Sequence, residues 1–237
     1  MEAIFEVRFQ PSLPNAGDLL PGLLFEKLGG EYPNVEQLPV GTIPREVREK
    51  DANLHYLATY RLSGRSSWIQ VGDRVATLSA GMPYPGWAKF KEAILQMLRV
   101  VAATKLMRDP ERFSFRYINV IAAQSDQLQL PLLSVQTSWP GHEFVERGFQ
   151  LRFEIEEREY VTVVQLAPQV TLKKPDSLVS GLMIDVDTIR SRPTRSFWDG
   201  DAALLEEAHS VVKQTFFTLL DRSTLERLGP IYDTATV

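Results

Sequence analysis

The stretch Arg112-Phe-Ser-Phe-Arg-Tyr-Ile-Asn-Val-Ile121 combines the aromatic and β-branched content of a buried strand with two arginines and an amide, Arg112, Arg116 and Asn119. Period-2 alternation resolves the conflict: Phe113, Phe115 and Tyr117 share one face of a strand, and the arginines take the other. A second stretch repeats the pattern. In Glu2-Ala-Ile-Phe-Glu-Val-Arg-Phe9, residues Phe5, Val7 and Phe9 alternate with Glu6 and Arg8, as on a strand with one wet face. Val7-Arg8-Phe9 and Phe115-Arg116-Tyr117 each set an arginine between two inward side chains.

The two strands also lead into similar successions of elements. After the first comes NAGDLLPGLLFEKLGG, read as a helix with Asp18 as its cap, Leu20, Leu23, Leu24 and Leu28 as its stripe, and Gly29-Gly30 as a left-handed stop. Residues 33 to 53 are rich in Pro and mixed charge, too long for an ordinary connection. HYLATYRL, RSSWIQV and RVATLS come next, separated by short turns, as a three-stranded antiparallel meander. Pro85 then opens a helix whose stripe is Trp87, Phe90, Ile94, Leu98 and Val101. In the second half, a long segment 122 to 147 precedes FQLRFEIE, YVTVVQL and LMIDVDTI. A helix closes this half, buried along Leu204, Leu205, Ala208, Val211, Val212, Phe216 and Leu219, with Asp199 and Asp201 near its amino end.

The order strand, linker, strand, strand, strand, helix therefore recurs at a spacing of about 110 residues, and each helix has a tryptophan at its start, Trp87 and Trp198. The expected fold is α+β: antiparallel sheets each covered by a long helix, built from two duplicated units, 1–111 and 112–237, related by pseudo-twofold symmetry and packed as one body. Edge strands left by such units need pairing or covering, so a homodimer is expected.

With 44% hydrophobic and 24% charged residues, the 237-residue chain has enough apolar side chain for a substantial core. A net charge of −4 without a basic block argues against nucleic acid as the partner. The absence of cysteine excludes disulfides, thiolate–zinc sites and cysteine nucleophiles, and fits a reducing cytoplasm. MEAIFEVRF lacks the basic and apolar regions of a signal peptide, and no apolar run reaches the roughly 20 residues of a membrane span. The expected localisation is cytoplasmic, away from membranes.

No complete catalytic or cofactor signature is present, and no cofactor is expected. Asp185 and Asp187, at i and i+2, share a strand face and would suit Mg²⁺ and phosphoryl chemistry, although alternation with Leu182, Ile184 and Val186 also explains them as the acidic outside of an apolar strand. Glu206 and His209 form a single Glu-x-x-His pair where a di-iron site needs two. His55 and His142 stand in unrelated contexts, and Ser210–Lys213 matches Ser-x-x-Lys only in mid-helix. Gly17–Gly22 and Gly81–Gly86 have P-loop spacing but are followed by Leu and Trp where Lys is required. Tyr84 and Trp87 in GMPYPGW read as core lids or as an exposed aromatic platform.

Two anion sites are open to consideration. SRPTRSFW, with Arg192 and Arg195 beside two aromatics, would contact an anion or simply neutralise Asp199 and Asp201. Arg8 and Arg116 would either pair with Glu6, Glu154 and Glu156 on the solvated face, or meet Asn119 near the pseudo-twofold axis in a cleft for an anionic ligand or a partner's carboxylate.

EAIFEVRFQP, the early Leu20-Pro-Gly22 and the FxFRYIN block at 113–119 resemble a sporadically distributed bacterial family of uncharacterised proteins of about this length. The resemblance implies a prokaryotic cytosolic protein, scattered among genomes as accessory, defence-associated and toxin–antitoxin genes are, and it transfers no catalytic residue. The expected function is thus a non-enzymatic binding or accessory protein for a partner protein or small anionic ligand. The alternative is a metal-dependent phosphoesterase or nucleotide-processing enzyme using Asp185 and Asp187.

Overall fold

The computed structural model describes residues 1–123, 128–136, 138, 140–141, 149–174, 177–193 and 195–230. The alternation of EAIFEVRFQP forms β1 (Glu2–Pro11), with Ala3, Phe5, Val7 and Phe9 buried and the residues between them half-covered. Then come α1 (Ala16–Leu28), β2 (Asn34–Gln37), α2 (Arg45–Lys50), and the expected meander, β3 (Ala58–Ser63), β4 (Ser67–Gly72) and β5 (Val75–Ala80). The helix α3 (Trp87–Ala103) leads into β6 (Met107–Ala122), which starts five residues before RFSFRYINVI. The rest comprises β7 (Leu151–Glu157), β8 (Tyr160–Lys174), β9 (Ser177–Ser191), α4 (Ala202–Leu219) and α5 (Arg222–Leu228).

Helix and sheet are mixed as expected, but the strands do not form two sheets. They join into one nine-stranded antiparallel sheet of order β2-β3-β4-β5-β1-β6-β9-β8-β7. The reason lies at the centre, where β1 and β6 run side by side from Glu2 opposite Ile118 to Arg8 opposite Arg112, so neither remains an edge. Outward from this seam the first half continues as β5, β4, β3 and the second as β9, β8, β7. Leu20 and Leu24 of α1, Phe90, Ile94 and Leu98 of α3, and Leu205, Ala208 and Val212 of α4 join the strands' inward side chains in one core. Phe197, on a 3₁₀ turn before α4, stacks on Phe113 at 4.8 Å and lies 6.4 Å from Phe5, closing the seam from the helical side. No helix among the described residues is long and apolar enough to cross a membrane.

Local differences from expectation have local causes. Gly29 stays right-handed at φ −61, so α1 ends without a left-handed stop, and its amide donates to the Phe25 carbonyl. Leu23 is exposed, leaving Leu20, Leu24 and Leu28 as the buried stripe. Asp18 sits in the first turn, and Asn15 is the residue preceding the helix. Likewise α3 begins at Trp87: Pro85 lies two residues earlier, and Gly86 at φ +88 adopts the left-handed turn that swings the chain into the helix. Asp201 does cap α4, accepting from the Leu204 amide.

Within residues 33 to 53, β2 pairs with β3, and one arginine anchors the part that follows. Arg48, 4% exposed, donates from Nε and Nη2 to both carboxylate oxygens of Asp73 at 2.7 and 3.1 Å, and from Nη1 to the Ile43 carbonyl at 2.5 Å. It ties α2 to the β4–β5 turn. Arg48→Met leaves the Asp73 carboxylate without its counter-ion and is expected to lower unfolding stability by about 3 kcal/mol in urea denaturation. Arg48→Lys, which cannot form the two-pronged contact, should recover only part of that loss.

Candidate functional site

The alternation of β6 separates the residues nominated from its sequence. Phe113, Phe115, Tyr117 and Asn119 lie under the helices, whereas Arg112, Ser114 and Arg116 face the other side of the sheet. Arg8 and Arg116 do share that outer face, but Arg8 is opposite Arg112 and Arg116 opposite Ile4, about 13 Å apart along the strands. Each is held separately. Arg8 Nε donates to Glu6 Oε1 at 2.7 Å, Arg112 Nη2 reaches the same oxygen at 3.0 Å, and the Arg8 guanidinium lies 4.4 Å from the Tyr56 ring centroid.

Arg116 grips Asp185 with two prongs, Nε to Oδ1 at 2.9 Å and Nη2 to Oδ2 at 2.6 Å. This corrects the expectation of a solvated acidic row. Asp185 is only 3% exposed because the arginine side chain lies over it, while Asp187 has Oδ1 buried without a partner and its carboxyl pushed up by burial. A guanidinium on both Asp185 oxygens occupies the place a divalent cation would need, and no group of three or more metal-ligating side chains occurs among the described residues.

Arg192 is exposed in a left-handed conformation, and the Arg195 side chain and His142 lie outside the described residues. The aromatics of SRPTRSFW are core: Phe197 is fully buried and Trp198 Nε1 donates to the Arg108 carbonyl at 2.8 Å. Beside Trp198, a 740 Å³ cleft is lined by Ser12, Lys105, Arg108, Ser196 and Asp199, mixing both signs of charge.

Asn119 belongs to a different cleft, of about 310 Å³, where the first turn of α3, the end of β6 and the middle of α4 meet. Gly86 delivers Trp87 to the first turn of α3, and Tyr84 precedes it. From α4, His209, Val212, Lys213 and Phe216 project at the i, i+3, i+4, i+7 spacing of one helical face, with Phe217 beside them. His209 lies flat on Trp87, centroids 3.8 Å apart and rings within 4° of parallel. Tyr84 and Tyr117 meet edge to face at 6.2 Å, their hydroxyls 3.4 Å apart.

The polar groups divide into committed and uncommitted. Glu206 accepts from Trp87 Nε1 at 2.9 Å and from Lys91 Nζ at 2.7 Å, and although burial opposes it, these donors hold its carboxyl below the usual range. Burial raises both the Tyr117 and the Tyr84 hydroxyls, so both are protonated at neutral pH. Burial also lowers His209 to about 4, so its ring is neutral. The Asn119 amide has no hydrogen-bond partner among the described residues, and neither do the His209 ring nitrogens. An apolar cavity with a few such groups is the usual form of a small-molecule site.

The Glu206–His209 pair, an incomplete metal motif by its spacing, serves instead to brace Trp87. One available signal for the cleft was the adjacent aromatic pair Phe216-Phe217, both of which pack at the border of the core and line the cleft. No protein-family model matches this chain, and no curated protein matches it either.

His209 gives a direct check. Its folded-state pKa lies below the unfolded value, so the unfolded chain binds the extra proton, and this contribution is complete above about 6.5 and is lost as pH falls toward about 4. After allowance for partial exposure the loss is about 1–2 kcal/mol. In a proton–carbon NMR titration the His209 ring should remain neutral at pH 5.5; a midpoint near the unfolded value would refute the burial argument.

Proposed function

We propose that the protein is a non-enzymatic binding or accessory protein that recognises a small ligand in the aromatic cleft. The observation that carries this reading is the ring-lined cavity itself: Tyr84, Trp87, Tyr117, His209, Phe216 and Phe217 around about 310 Å³, with the Asn119 amide uncommitted. That volume lies at the small end of ligand sites, which favours a compact molecule over a partner protein. The grip of Arg116 on Asp185 weighs against the phosphoesterase alternative.

The bacterial defence or toxin–antitoxin setting implied by the sequence resemblance is part of the proposal, with ligand recognition as the accessory step. So is a cytoplasmic location. We further propose that the two halves are a duplicated unit, which the matched order β1, β5, β4, β3 and β6, β9, β8, β7 about the seam supports. The edges β2 and β7 are where a homodimer would join.

A neutral flat probe tests the cleft. Titration of 2-naphthylmethanol should perturb the Trp87 indole and His209 ring NMR signals with a Kd of about 0.1–1 mM. Asn119→Phe, which places a ring in the cavity at a half-exposed strand position, should abolish binding with an unchanged circular dichroism spectrum. Equal binding to both proteins, or none to the wild type at millimolar probe, would overturn the reading.

A further inference from the structure

Charge around the cleft is not balanced once existing contacts are counted. On α3, Lys91 faces it but is paired with Glu206 at 2.7 Å. On α4, Glu206 is occupied by Lys91 and by Trp87 Nε1, and His209 is uncharged at neutral pH because burial disfavours its cation. Lys213, one turn beyond His209, lines the mouth and has no carboxylate partner among the described residues. From β6 and the approach to α3 come only the Tyr117 and Tyr84 hydroxyls, bonded to one another, and the Asn119 amide.

Met1, ahead of β1, also lines the cleft, and what remains among the side chains is one ammonium and one amide, both able to donate, at the edge of a cavity walled by rings. A cationic ligand would find ring faces, but the one carboxylate beside them, Glu206, is already occupied and the Lys213 ammonium would repel it. A neutral ligand would leave Lys213 unused. An anion attached to a flat ring satisfies both parts, because the ring replaces water against apolar walls and the negative group takes charge-assisted hydrogen bonds.

We propose that the cleft binds an aromatic carboxylate, its ring among Tyr84, Tyr117, Phe216 and Phe217 and its carboxylate against Lys213 Nζ and the Asn119 amide. This rests on the reading of the cleft as a recognition site, and adds the chemical class of what it recognises. A volume of about 310 Å³ suits a compact ring acid.

The test compares three probes of one shape: 2-naphthoate, 2-naphthylmethanol and 2-naphthylmethylammonium. Kd is measured at pH 7 by isothermal titration and by the Trp87 and His209 NMR signals. The carboxylate should bind about tenfold more tightly than the alcohol, and the ammonium most weakly. Lys213→Met should bring the carboxylate and alcohol within about twofold by weakening the carboxylate far more than the alcohol, and higher salt should weaken the carboxylate alone. Equal carboxylate and alcohol affinity in the wild type would overturn the assigned class and leave the cleft standing. Failure of all three probes to bind would overturn the cleft as a site. A Lys213→Met variant that weakened every probe equally would show that Lys213 shapes the wall and does not recognise charge, which also overturns the class.

Discussion

The β1–β6 ladder carries the rest of this molecule. Seven successive residue pairs, from Glu2–Ile118 to Arg8–Arg112, join the two halves edge to edge before the register shifts beyond Arg8. The ladder brings Phe5 within 5.3 Å of Phe115 and 6.3 Å of Phe113, and Phe197 lies across them. Burial of such rings contributes about 1.5–3 kcal/mol each, so the seam is both a hydrogen-bonded and an apolar join. With β1 and β6 central, each half can extend only outward, and α1, α3 and α4 must share the single inward face.

That arrangement also assigns the two kinds of chemistry to different sides. On the outer face, arginines and carboxylates lie among strand neighbours, and their pairing is set by the ladder: Glu6 between Arg8 and Arg112, Asp185 under Arg116. Those contacts neutralise one another and leave little for a ligand. On the inner face, the end of β6 passes beyond the close-packed part of the core, and there Tyr117 and Asn119 meet α4 and the first turn of α3. The rings that converge there stack or meet edge to face around a gap.

Much of the fold was legible because alternation and helical stripes are local signals. EAIFEVRF and the stripes of α3 and α4 declared their buried faces from spacing alone, and short turns marked out the three meander strands. Spacing does not carry how a face is covered. Asp185 alternates with Ile184 and Val186 as its strand requires, but its burial depends on Arg116, 69 residues away. The same limit hid the cleft, since His209 looks isolated until Trp87 is brought flat against it across the two helices. The continuation of β8 past Ala167 was obscured by Pro168 and by Gln169, which takes a positive φ at a register shift that lets the strand resume. Arg116 and Asn119 are three residues apart, and on a strand an odd separation puts them on opposite faces.

The two tryptophans at the helix starts reach across the seam in opposite directions. Trp87, from the first half, rests against Phe115, His209 and Glu206, and Trp198, from the second, rests against Phe9 and the Arg108 carbonyl just before the seam. For a chain made from its amino end, this orders events during synthesis. Trp87 emerges more than a hundred residues before the imidazole it stacks on, and that face of the indole lacks its cover until α4 has been made and docked. The cleft therefore comes into being only once α4 is in place, and a molecule arrested or cut before α4 lacks the site altogether.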